Sequence, residues 1–255
     1  MEHAPATTPA PREADLARVA AAIGDPARAA MLAQLTDGRS LPAGELARSA
    51  GVSAATASNH LARLAEAGLV RVRVQGRHRY HQLTSALVAQ ALEALAVISP
   101  TRPARSLRHG MAVDAIREAR ACYDHLAGRL GVALRDGLLE SGTLAPLDDR
   151  DHVLTDIGRL RLRAVGIDPD ELVGRRRVLA RCCLDWSERR PHLAGALPSA
   201  LLETMLRSGW VVRRSGDRGL RVTAACAPGL RRWLDLPAPW PEPAMPRSGP
   251  ELGPG

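Results

Sequence analysis

Apolar positions recur at helical spacing from Asp15 onward, with Leu16, Val19 and Ile23 on one face of a first helix. Asp25-Pro26 restarts the chain, Asp25 as the cap and Pro26 at the first helical position. The helix that follows turns Met31, Leu32 and Leu35 inward and ends near Asp37-Gly38. A short helix over about 43–50 is stopped by Gly51; Ser53 caps another that runs to Ala67, with Gly68 as its left-handed terminator. The period then changes to two. Val70, Val72 and Val74 alternate with Arg71 and Arg73, Gln75-Gly76 makes a turn, and Arg77 to Leu83 returns as a second strand. A last helix, Ala86 to Ile98, is apolar on most sides through Leu87, Val88, Ala91, Leu92, Leu95 and Ala96. Such a helix needs a partner surface, and a homodimer interface would supply one.

Pro100-Thr101-Arg102-Pro103 interrupts this regularity and marks a boundary. The layout read from the pattern is a disordered arm over 1–12, a first domain over 13–99, a linker over 100–106, a second domain over 107–236 and a Pro/Gly-rich disordered tail over 237–255.

Two helices around Gly51-Val52-Ser53, followed by an arginine-bearing hairpin, make a winged helix-turn-helix. The second helix keeps Ala57, Leu61 and Leu64 on its buried face. The side expected to meet DNA comprises Ser53, Ala54, Ala55, Thr56, Ser58, Asn59, His60 and Arg63. Asparagine can pair bidentately with adenine, and small alanines let the helix approach and touch thymine methyls. The hairpin would set Arg71, Arg73, Arg77, His78 and Arg79 against phosphates or a minor groove. A winged helix used only for protein contacts would not need five basic side chains in its wing.

Charge supports a polyanionic partner. The 255 residues hold 35 basic side chains, all arginine, against 27 acidic ones, for a formal net charge of +8, although a spread of surface arginines produces the same excess. Aromatics are only 2% of the chain, which argues against single-strand or RNA binding by base stacking. No apolar run reaches the ~18 to 20 residues that span a bilayer. Met1-Glu2-His3 lacks the basic-then-apolar layout of a secretion signal. The expectation is a cytoplasmic protein whose four cysteines (Cys122, Cys182, Cys183 and Cys226) are reduced thiols.

The residues of the first domain resemble the ArsR/SmtB (arsenical-repressor) family of transcriptional regulators. The resemblance is carried by Glu45-Leu46-Ala47, by Gly51-Val52-Ser53-Ala54-Ala55-Thr56-Ala57-Ser58-Asn59-His60-Leu61 and by Leu64-Ala65-Glu66-Ala67-Gly68-Leu69-Val70. Gly24-Asp25-Pro26-Ala27-Arg28 and the wing residues Gly76-Arg77-His78-Arg79-Tyr80 extend it over roughly 14–98. It implies a dimeric repressor that leaves its double-stranded operator when a metal, a thiol-reactive agent or another inducer binds. Many members hold metal through a cysteine pair in the helix before the reading helix; here that helix, Ala43 to Ala50, has no cysteine. Others use Asp and His in the final helix; Ala86 to Ile98 contains neither. If the protein senses an inducer, the second domain must do it; long members of the family carry this kind of C-terminal extension.

That domain contains a weak duplication, over about 119–168 and 180–236. Cys122-Tyr123-Asp124-His125-Leu126-Ala127-Gly128 matches Cys183-Leu184-Asp185, six inserted residues, and His192-Leu193-Ala194-Gly195. Six of sixteen positions are identical between 129–144 and 196–211. The fold class expected is mainly α with small β-hairpin wings, the second domain a mostly helical duplication of winged-helix-like units. Repeats that pack about a pseudo-two-fold axis bring equivalent residues together, so Cys122, His125, Cys183 and His192 form a candidate metal site. Cys122 and His125 share a face if helical. Thiolate with imidazole suits cadmium, lead, zinc or As(III), and Cys182 could add a thiolate or report oxidation.

Other readings stay open. Buried cysteines commonly act as small apolar side chains, and Asp and His beside helix starts commonly cap them. An organic-ligand pocket in the second domain, or a DNA binder with no inducer, would fit the same chain. A cysteine-dependent enzyme fits least: Cys-Tyr-Asp-His on one helix offers no cleft, third group or oxyanion donors, and no Walker loop, dinucleotide fingerprint, HExxH or GxSxG occurs.

Overall fold

The computed structural model describes residues 13–101, 103–104, 106–173 and 177–236. The expected arm over 1–12 and tail over 237–255 lie outside the described residues. The first part of the fold runs α1 (Leu16–Ile23), α2 (Pro26–Leu35), β1 (Leu41–Pro42), α3 (Ala43–Ala50), α4 (Ala54–Glu66), β2 (Val70–Gln75), β3 (His78–Leu83) and α5 (Ala86–Ile98). The capping residues act as their chemistry dictates. Asp15, Asp25 and Ser53 accept from the backbone N–H groups of Arg18, Arg28 and Thr56, each filling a donor left open by a helix start. Gly51 ends α3 in the left-handed conformation. β1 adds to the β2–β3 hairpin as a third strand, in the order β1-β3-β2. Met31, Leu32, Leu35, Leu46, Ala57, Leu61, Leu64 and Leu83 close one hydrophobic core.

The second part begins with α6 (Leu107–Glu118). A six-element order then occurs twice. It runs first as β4 (Arg120–Cys122), β5 (His125–Ala127), α7 (Arg129–Glu140), β6 (Leu144–Pro146), β7 (Asp151–Leu154) and α8 (Asp156–Ala164). After the short α9 (Pro169–Val173) it runs as β8 (Ala180–Leu184), β9 (Pro191–Ala194), α10 (Ala196–Arg207), β10 (Val211–Arg213), β11 (Leu220–Val222) and α11 (Cys226–Leu234). β7 pairs antiparallel with β8, so one four-stranded sheet, β6-β7-β8-β9, spans both passes. A second core contains Leu126, Leu130, Leu138, Leu162, Leu197, Leu201, Met205 and Leu230. Cys226 is buried there, and burial pushes its thiol up to about 11.

Each pass opens on a hairpin, not on the helix expected to carry Cys122. Cys122 and His125 are cross-strand partners on either side of a two-residue loop, and Cys183 and His192 are cross-strand partners in the second pass. A separation of three brings two side chains together on a helix face; a two-residue hairpin loop does so as well. Tyr123 in that loop takes φ 61°, a conformation that costs a tyrosine of order 1 kcal/mol or more. Gly128 and Gly195, with φ 80° and 132°, cap α7 and α10 where no side chain would fit, because a Cβ would lie 2.6 Å from the carbonyl oxygens of Arg117 and Leu179.

Candidate DNA-reading module and buried Cys/His cluster

The reading helix α4 is held by Ala57, Leu61 and Leu64, each at most 2% exposed. Ala54, Ala55, Thr56, Ser58, Asn59 and Arg63 are exposed. Local bonds occupy some of these. The Ser53 and Thr56 hydroxyls lie 2.9 Å apart, and Ser58 donates back to the carbonyl of Ala54 at 3.0 Å. Asn59 and Arg63 make no side-chain hydrogen bond to another described residue, which leaves their donors free for a ligand. His60 behaves differently from its neighbours: its ring is half-buried, with Nδ1 3.4 Å from Arg28 and Nε2 3.9 Å from Asp25. It braces α4 against α2 instead of facing outward. In the wing, Arg71, Arg73, Arg77, His78 and Arg79 are all exposed. Val72 and Val74 are the apolar members that the hairpin leaves uncovered, Val74 at 70% exposed.

The second constellation lies inside the molecule. The ligating atoms of Cys122, His125, Cys183 and His192 all fall within 4.8 Å of one another, and all four residues are buried. Nε2 of His125 is 3.2 Å from Nε2 of His192, and the rings stack at 5.1 Å between centroids. Each imidazole is backed at Nδ1 by a carboxylate: Asp124 Oδ1 lies 3.4 Å from His125, and Asp185 Oδ2 lies 3.3 Å from His192. Both carboxylates sit well below the usual range. Burial opposes this, but Arg177 and His125 outweigh it for Asp124, and His192 and Arg120 for Asp185. The hydrogen bond of the Cys122 thiol to Cys183, together with burial, pushes that thiol up to about 11. Cys182 stands outside the group. As the preceding residue on β8 it leaves the opposite face of the strand, and it is only half-buried.

Comparison with known proteins bears on the whole chain. A family model described as a helix-turn-helix domain matches residues 23–73. YdfF of Bacillus subtilis (strain 168), named an uncharacterized HTH-type transcriptional regulator, is 42% identical over 222 residues, 87% of this chain and 98% of YdfF. The chain belongs to the ArsR/SmtB family. It is thus a DNA-binding transcriptional regulator of the helix-turn-helix type. The HTH-type regulator CmtR of Mycobacterium tuberculosis is 39% identical over 84 residues, 33% of this chain and 70% of CmtR. A solved structure of the cadmium metal-sensor CMTR from that organism is 34% identical, with a TM-score of 0.29, covering 36% of this chain and 100% of its own. No helix among the described residues of this ArsR/SmtB-family regulator is long and apolar enough to cross a membrane.

One buried charged residue escaped the sequence. Glu93 is the sole acidic residue in α5 and is 2% exposed, held between Arg120 and Arg218. A single acid in an apolar helix reads as a solvent-facing position, and nothing local announces partners that lie 27 and 125 residues away.

Proposed function

We propose that this regulator is a homodimeric repressor, released from its double-stranded DNA operator when a thiophilic metal ion binds Cys122, His125, Cys183 and His192. The observation that carries the reading is the convergence of four soft or borderline donors from two hairpins into one buried group. A tetrahedral ion about 2.0–2.3 Å from each ligand needs donors roughly 3.3–3.8 Å apart, a modest contraction from the observed spread. The carboxylates at Nδ1 of both histidines leave Nε2 for the ion, as in carboxylate–histidine–metal arrangements. Two thiols and two imidazoles favour cadmium or zinc, with lead next. As(III) would find only two thiols, since Cys182 points elsewhere. The Cys122 thiol is protonated at neutral pH as it stands, so an ion enters with release of protons. The relative CMTR of Mycobacterium tuberculosis is described as a cadmium metal-sensor, which accords with such an inducer.

Dimerisation is assigned to α1 and α5, which leave Leu16, Leu87 and Ile98 between 73% and 78% exposed; a second copy would cover them and set two reading helices about one DNA turn apart. An organic inducer would instead seat in the cleft of about 330 Å³ lined by Asp37, Arg39, Tyr123, Asp124, Glu203 and Arg213. Cadmium titration of the reduced protein, followed by thiolate-to-metal absorption in the ultraviolet, separates the two. Wild type should bind about one ion per chain and Cys122→Ser/Cys183→Ser none; equal behaviour of the two proteins would make these cysteines packing residues.

A further inference from the structure

Arg120 is wholly buried on β4, two residues before Cys122. Its Nη2 lies 3.0 Å from Oε2 of Glu93 and 3.0 Å from Oδ2 of Asp185. The same Asp185 oxygen accepts from the backbone N–H of Gly128 at 2.7 Å and is the one beside Nδ1 of His192. The other Asp185 oxygen is fixed by Ser187, through its backbone N–H at 2.9 Å and its hydroxyl at 2.7 Å. The indole of Trp186 stacks against the Arg120 guanidinium at 5.1 Å. A continuous line of buried charge therefore joins the Cys/His cluster, through Asp185 and Arg120, to Glu93 on α5.

We propose that this Asp185–Arg120–Glu93 chain is the coupling element that carries occupancy of the Cys/His cluster to α5, with Arg120 and Glu93 as positioning residues. The proposal rests on the reading of the cluster as a metal site. Three features support it. All three charged side chains are at most 2% exposed, so their attraction is weakly screened by solvent and responds to small displacements. Asp185 Oδ2 accepts from Gly128 and Arg120 and lies 3.3 Å from Nδ1 of His192, a buried nitrogen with no hydrogen-bond partner among the described residues. An ion on Nε2 of His192 would fix that ring and turn its Nδ1–H onto the same oxygen, which redistributes what the oxygen gives to Arg120. The receiving helix presents Leu87, Leu95 and Ile98 to the exterior, so a movement of Glu93 reaches the surface assigned to the second copy. A buried ion pair is also a poor choice for stability alone, because apolar side chains of similar volume commonly serve as well or better.

The hairpin also touches the first part of the fold through Tyr123, whose backbone N–H donates to the carbonyl of Thr36 at the end of α2 and whose side chain packs against the first core. Arg218 joins Glu93 and the Thr36 hydroxyl, at 2.7 Å from the latter, but does not contact the cluster. That difference provides the control.

The experiment first locates an operator by footprinting the region upstream of the protein's own coding sequence, then measures affinity for that duplex with and without cadmium, using the full chain. Coupling between sites is typically 5- to 150-fold. Glu93→Gln should bind cadmium and metal-free DNA like wild type, while its metal response falls to under about 2-fold. Arg218→Met removes a Glu93 partner outside the chain and should keep most of the response. If Glu93→Gln does not fold, Arg120→Leu/Glu93→Leu replaces the pair with apolar groups, and the same loss of response is expected. Cadmium binding with an undiminished DNA response in either variant overturns the proposal, as does an equal loss in Arg218→Met. Failure of wild type to bind cadmium would instead overturn the cluster reading beneath it.

Discussion

The reading helix and the Cys/His cluster hold their side chains in opposite ways. Asn59 and Arg63 stand exposed on one continuous helix, held by the apolar face behind them and by the His60 brace to α2. His125 and His192 meet across 67 residues of sequence, inside the molecule, each with a carboxylate behind it. The exposed face suits a ligand larger than the protein's own clefts, which must slide in and leave. The buried cluster suits a ligand of atomic size that can replace protons and order four side chains at once. The polar line through Arg120 joins the cluster to Glu93 on α5, and its partners come from both parts of the fold.

The sharpest way to break this contrast is to damage the buried side. Arg120→Met should cost about 3–5 kcal/mol in chemical denaturation, because it leaves Glu93 and Asp185 buried with one fewer countercharge; a cost below about 1 kcal/mol would mean that the line contributes nothing to the fold. On the exposed side, apart from the helix cap, stability should hardly change and DNA binding should. Asn59→Ala should weaken operator binding by ~1 to 3 kcal/mol and relax preference at one base position. Equal losses on operator and random duplexes would remove Asn59 from base reading. Arg77→Ala and Arg79→Ala should weaken all duplexes alike and each flatten the salt dependence by about one unit. The smallest effect should come from Ser53→Ala, which removes the cap of α4 and costs about 1 kcal/mol in thermal unfolding.

The same contrast decides what could be read from the chain. Caps, turns and periods are local, so Asp25-Pro26, Gly51-Val52-Ser53 and the Val/Arg alternation after Gly68 place α2, α3, α4 and the wing within a residue or two. β1, at two residues, is too short to show a period. His60 sits amid outward positions on α4, yet Asp25 and Arg28 draw it inward, an attraction that spacing along one helix does not show. The internal match of Cys122 and His125 with Cys183 and His192 pointed to four residues that the fold does bring together. It did not show that they lie on hairpins, because Tyr123 carries no signal for the left-handed turn it makes. Glu93 was illegible, since its partners are set entirely by how the two cores meet.

Operator affinity of the wild-type protein and of Cys122→Ser/Cys183→Ser, each with and without cadmium, tests the central claim most directly. Metal-free, both proteins should bind the same duplex with the same affinity and the same salt dependence. With cadmium, wild type should lose at least ~5-fold in affinity and the double variant should not change. A double variant that still releases DNA on cadmium addition, or a wild type that holds its operator with cadmium bound to the cluster, would contradict the account.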